Sequence, residues 1–182
     1  MEDILRYIFT LEYIIIIFFI FEKRWKLYIK KVPWHFNKKY LLLVPLFVII
    51  LYYIVFFVGY ASLLAFGSPP VSEDNIIVAI SNFSPILLFV VTGVSAVVEE
   101  FFFRYMMFEE IKRKTDKLSS VFFTSLMFSL AHLSNPGWNV NSLVVTFFAG
   151  LFLQIIYMKY GLSTSMFSHL SYNIFLSLGV IV

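Results

Sequence analysis

Long apolar runs separated by short polar stretches set the pattern of this 182-residue chain. Six runs stand out, at residues 4–21, 40–66, 76–108, 118–133, 141–158 and 162–182. A helix rises about 1.5 Å per residue, so roughly 20 apolar residues cross a hydrocarbon core of about 30 Å. The pattern predicts an all-α, polytopic transmembrane helical bundle of about six spans. The third run is broken or extended. The fourth and fifth are short, so neighbouring helices must shield them or they extend into flanking residues. Gly67-Ser68-Pro69-Pro70 and Asn135-Pro136-Gly137 are turn signals between runs.

Composition narrows the class. The chain is 60% hydrophobic and 14% charged, against about 25% charged in a soluble domain. That excludes a soluble enzyme, a disordered tail and a nucleic-acid module. The net charge of +3 then reads as loop charge rather than a nucleic-acid footprint. The absence of cysteine excludes disulfides, a cysteine nucleophile and thiolate metal sites. The first run begins Met1-Glu2-Asp3, contains Glu12 and is followed by basic residues rather than a small-residue cleavage site. It reads as a retained span rather than a cleaved signal sequence.

Charge also sets an orientation. Lys23, Arg24, Lys26, Lys30, Lys31, Lys38 and Lys39 lie between runs one and two. Lys112, Arg113, Lys114 and Lys117 lie between three and four, and Lys159 between five and six. Twelve of the fourteen basic residues thus share one side, whereas 67–75 and 134–142 have none and the former carries Glu73 and Asp74. The positive-inside rule makes the basic side cytoplasmic and predicts both termini outside, and the compactness and Ile/Phe/Lys-rich usage suggest a bacterial cell membrane. Residues 22–39 form an amphipathic interfacial segment in which Trp25, Tyr28 and Trp34 suit the headgroup level and His35 is interfacial.

Ionisable residues inside spans are functional candidates, because inserting each costs roughly 2.5–3.5 kcal/mol. In Glu99-Glu100-Phe101-Phe102-Phe103-Arg104, Glu100 and Arg104 are one helical turn apart and can pair, while Glu99 points about 100° away and can face a cavity. In Phe128-Ser129-Leu130-Ala131-His132 the ring of Phe128 can wall the imidazole. In His169-Leu170-Ser171-Tyr172-Asn173 two N–H donors share one face. Each cluster alone also fits a structural role, as an edge ion pair, a packing histidine or interhelical glue. Together they offer a base and two donors, as water attack on a carbonyl requires. Glu12, though mid-run, reads as protonated or paired with a neighbouring span. Ser95, Ser125, Ser129 and Thr146 read as hydrogen-bonding helix backbones, Gly150 as a site of close helix contact, and Glu109 and Glu110 as solvated edge residues.

At these three clusters the chain resembles the CAAX protease and bacteriocin-processing (CPBP, or Abi) family of intramembrane proteases, whose ordered motifs are EExxxR, FxxxH and HxxxN. All three match without substitution. Residues 1–75 carry no motif of the family and read, from their apolar runs and basic residues, as N-terminal spans with a basic cytoplasmic segment. The resemblance covers 76–182 and implies there a protease core made of the last four spans. It implies Glu99 as the base that activates water, His132 as its partner, His169 and Asn173 as oxyanion donors, and Glu100, Arg104 and Phe128 as supports. It implies an endopeptidase acting on a membrane-associated peptide or protein: a bacteriocin or pheromone precursor, or a prenylated CAAX protein. No cofactor is expected; the alternative is a zinc metalloprotease whose metal is held by Glu99, His132 and His169. A different class, a non-catalytic bacteriocin self-immunity or membrane interaction protein using Glu73 and Asp74, also fits. The expected partners are the lipid bilayer and the substrate, with no nucleic acid.

Overall fold

The computed structural model describes residues 28, 30–33, 37–67, 85–132 and 139–181. The first predicted span with Glu12, and Trp25, Trp34, His35, Glu73, Asp74 and the turn at Asn135-Pro136-Gly137, lie outside the described residues. Every described element is a helix. A short α1 (Lys38–Leu41) is capped by the Asn37 side chain, which accepts the Lys39 N–H at 3.0 Å. It leads into α2 (Val44–Phe66), which stops where Gly67 adopts φ 72° and returns its N–H to the Leu63 carbonyl. Next come α3 (Pro85–Glu99), a π-helical segment (Glu100–Met107) and α4 (Phe108–Lys112), running without interruption. In α5 (Lys117–Ala131) the Asp116 side chain caps the N-terminus by accepting the Leu118 and Ser119 N–H groups. Asn139 caps α6 (Val140–Tyr160), Gly161 ends it at φ 88°, and α7 (Leu162–Ile181) follows at once.

Helices α2 and α6 are long and apolar enough to cross a membrane, and α5 is a shorter apolar helix. Of the expected run 76–108 the described part, from residue 85, belongs to a helical rod that continues to 112. Its middle is π-helical: the Phe108 N–H reaches back five residues to the Phe103 carbonyl, the bonding that defines a π turn. Residues 102–108 are buried without a break, so this stretch of the rod is enclosed on all sides, whereas Val90, Val94 and Val97 before it are exposed.

Helix α6 packs against α2, α5 and α7, and α7 packs also on α2 and α3. One apolar cluster joins the π segment to α5 and α7 through Phe102, Phe103, Met106, Phe128, Leu162 and Met166. A second joins α2, α6 and α7 through Phe47, Leu51, Leu153, Ile156 and Tyr172. Gly150 allows the close approach of α5 and α6 that its sequence position suggests. A Cβ there would lie 3.0 Å from Phe128 Cδ1 and 3.5 Å from Ser125.

Polarity is distributed inside out. Glu100, Arg104, Ser120, Thr124, Gln154, Ser165 and Ser168 are fully buried, while Phe56, Phe57, Tyr60, Leu64 and Phe66 of α2 are more than half exposed. Water would reverse that arrangement, because exposed aromatic surface is costly there and buried charge more so. The two apolar helices and this burial are consistent with a membrane protein.

Candidate active site

Helix α3 delivers Glu99 at its last residue, and the π segment begins with Glu100 and carries Arg104 one turn on. The predicted pair forms, with Arg104 Nε 3.4 Å from Glu100 Oε2 and both side chains fully buried. The guanidinium lies over the Phe128 ring, 4.2 Å from its centroid. Among the described residues its Nη groups have no hydrogen-bond partner, so Glu100 and the ring are what hold the cation.

Glu100 does more than neutralise Arg104. Its Oε1 lies 3.1 Å from His169 Nδ1, and Ser165 donates its hydroxyl proton to Oε2. The other ring nitrogen, Nε2, faces Glu99 Oε2 at 4.0 Å. Ser95 donates to Glu99 Oε1. One imidazole therefore stands between two sequence-adjacent carboxylates, in contact with one and separated from the other. A gap of 4.0 Å is too long for a direct hydrogen bond and is the span one water can bridge. Glu99 keeps a side-chain exposure of 14% against 0% for Glu100, so the neighbouring carboxylates differ in access.

His132 sits at the C-cap of α5, where its Nδ1 lies 2.8 Å from the Phe128 carbonyl oxygen. The Phe128 ring walls it as expected, at 4.7 Å between centroids, and the same ring lies 6.1 Å from His169. Phe128 thus links Arg104, His132 and His169. By residue count His132 is deeper along α5 than His169 is along α7. The His132 ring folds back on its own helix end, and both imidazoles meet the Phe128 ring. Asn173 lies one turn beyond His169 on α7 and is half-buried.

Several sequence readings change. Ser95 bonds the Glu99 carboxylate and not a helix carbonyl. Ser129 does bond a helix backbone as expected, that of the neighbouring α6, at the Leu143 carbonyl at 2.6 Å. Glu110 is buried, because the Tyr28 hydroxyl donates to it at 2.6 Å, and Tyr28 is packed in the core rather than at headgroup level. Ser165 was not singled out from sequence, yet Ser165, His169 and Asn173 recur every four residues, a spacing that places them on one helical face. As for zinc, among the described residues no three His, Asp or Glu side chains gather closely enough to hold a metal ion. No step is routed through a metal below.

The family model described as type II CAAX prenyl endopeptidase Rce1-like matches residues 81–175, just over half of the chain and within the 76–182 core expected from the motifs. No curated protein and no solved structure matches the chain.

Proposed function

Because the chain belongs to the type II CAAX prenyl endopeptidase Rce1-like family, we propose that it is an intramembrane endopeptidase that cleaves a membrane-associated peptide or protein by attack of water activated at Glu99. The observation that carries this reading is His169 between the two carboxylates, 3.1 Å from Glu100 and 4.0 Å from Glu99.

Ser95 occupies Glu99 Oε1, which leaves Oε2 to take a proton from water as its oxygen attacks the scissile carbonyl carbon. The carbonyl π bond opens and an oxyanion forms. His169 and Asn173 donate hydrogen bonds to it. Glu100 fixes His169 through Nδ1, so Nε2 is the atom presented to the reaction. His132, anchored through Nδ1 to the Phe128 carbonyl, steadies the attacking water. Collapse of the intermediate breaks the C–N bond, and the proton held by Glu99 passes to the leaving amine.

The acidic outer loop needed for the non-catalytic immunity reading, Glu73 and Asp74, lies outside the described residues, and nothing observed favours that reading. The test uses purified full-length protein in detergent with two probes, a farnesylated CAAX peptide and an unprenylated membrane-peptide precursor. Products are mapped by mass spectrometry. Hydrolysis of either by the wild type and none by Glu99→Gln supports the proposal, and the probe cleaved identifies the substrate class. Equal cleavage by Glu99→Gln refutes it.

A further inference from the structure

Two basic stretches far apart in sequence meet at one end of the bundle. The Tyr28 hydroxyl donates to Glu110 Oε1 at 2.6 Å, Tyr105 donates to the Lys31 carbonyl at 2.9 Å, and Arg113 lies 5.6 Å from the Tyr28 ring centroid. This joint holds Lys30 and Lys31, both exposed, beside the exposed turn that carries Arg113, Lys114 and Lys117. Among the described residues the nearby acids pair with Arg113 and Lys112, and not with Lys30, Lys31, Lys114 or Lys117. Glu110 is buried and shared between Tyr28 and Arg113, Glu109 pairs with Lys112 at 3.6 Å, and Asp116 is used by the cap of α5. The Tyr28 phenol is held above its ordinary range by burial and then by its bond to Glu110, so it stays a neutral donor. Tyr40 against Tyr160, at 5.3 Å between centroids, ties α1 to the end of α6 at this same end.

From this geometry we infer that Lys30, Lys31, Arg113, Lys114 and Lys117 form one headgroup-binding site for an anionic phospholipid of the leaflet at that end, assembled by the Tyr28–Glu110 joint. The chemistry fits. Anionic lipid attracts each nearby basic residue with about 1 kcal/mol. The site differs from a general excess of positive charge because its two halves adjoin only while an uncharged hydroxyl and a buried acid hold them. This inference does not depend on the catalytic reading.

The joint permits a test in which the two explanations predict opposite signs. Glu110→Gln removes a negative charge, so diffuse electrostatics predicts tighter binding of anionic lipid. An assembled site predicts weaker binding, because a neutral amide accepts the Tyr28 hydroxyl less strongly than the carboxylate and no longer pairs with Arg113, which loosens the joint. Phosphatidylglycerol and phosphatidylcholine of the same acyl chains are titrated onto the full-length protein in detergent and followed by native mass spectrometry. Soluble glycerol phosphate serves as a third probe. The expected result is preferential binding of phosphatidylglycerol, little binding of glycerol phosphate, and weakening by Glu110→Gln and by the charge-neutral Tyr28→Phe. Lys30→Gln and Lys31→Gln should each weaken binding roughly fivefold. Thermal melting checks that each variant is folded, and if Glu110→Gln is not, Tyr28→Phe and the two exposed lysine variants decide. Equal binding of the two lipids, undiminished binding by Tyr28→Phe, tighter binding by Glu110→Gln, or glycerol phosphate binding as well as the lipid would overturn the inference.

Discussion

Helices α2 and α7 are of similar length, 23 and 20 residues, and differ in almost everything else. Helix α2 has no charged residue and turns Tyr53, Phe56, Phe57, Tyr60 and Leu64 outward. Helix α7 begins Leu162-Ser163-Thr164-Ser165, and these residues together with Ser168 and His169 are buried. Only α2 has the apolar composition of an isolated span. A bilayer explains the contrast. A helix facing lipid must be apolar on its outer surface, whereas a helix enclosed by others can carry hydroxyls and an imidazole if they find partners. Apolarity therefore marks the scaffold, and the helix least like a span carries much of the site.

The comparison breaks most visibly with one truncation on each side of it. Arg104→Ala strands the Glu100 carboxylate in the core and is expected to cost about 3–5 kcal/mol, read as a large loss of melting temperature and folded yield in detergent. Phe57→Ala, on a side chain 61% exposed, should stay within about 0.5 kcal/mol. A cost for Phe57→Ala comparable to that for Arg104→Ala would contradict the division between inner and outer surfaces.

A smaller loss, confined to catalysis, sharpens the account of α7. Asn173→Ala should lower kcat by about 10²–10³, as removal of an oxyanion donor does, with the melting temperature little changed. Unaltered kcat would remove Asn173 from the oxyanion site and leave it a packing role.

The smallest effect lies outside both helices. Hydrogen bonds from the Ser119 hydroxyl and backbone hold the Asp116 carboxyl below its ordinary value. A depressed folded value means that the ionised cap stabilises above the unfolded value of about 4, and that this contribution fades as pH falls through the folded one. Asp116→Ala should therefore melt slightly earlier than the wild type at pH 7, with a gap that narrows on acidification. A gap that is constant with pH would show that the charge is not involved.

Much of this architecture was legible because membrane segments announce themselves by composition. The expected runs 40–66, 141–158 and 162–182 coincide closely with α2, α6 and α7, and 118–133 with α5. The Glu100–Arg104 pair and the Phe128–His132 contact follow from a four-residue spacing, a local relation that sequence displays directly. The π turn at 100–107 was not legible, since no residue type demands it. Nor was the placing of His169 Nδ1 on Glu100, 69 residues away, because that contact depends on how α7 rotates against the π segment. Tyr28 misled for a related reason. An aromatic residue beside lysines suits the headgroup level, and only its tertiary partner Glu110 draws it into the core.

The proposed division of labour rests on two adjacent residues, with chemistry proposed for Glu99 and support for Glu100. The most direct measurement is kcat and melting temperature for Glu99→Gln and Glu100→Gln, purified side by side and assayed on whichever peptide the wild type cleaves. Glu99→Gln should melt like the wild type and lose about 10²–10⁴ in kcat, the range of general-base catalysis. Glu100→Gln should lose both stability and activity, since it releases Arg104 and His169 together. An active Glu99→Gln, or a Glu100→Gln that is fully stable and equally inactive, would contradict this division.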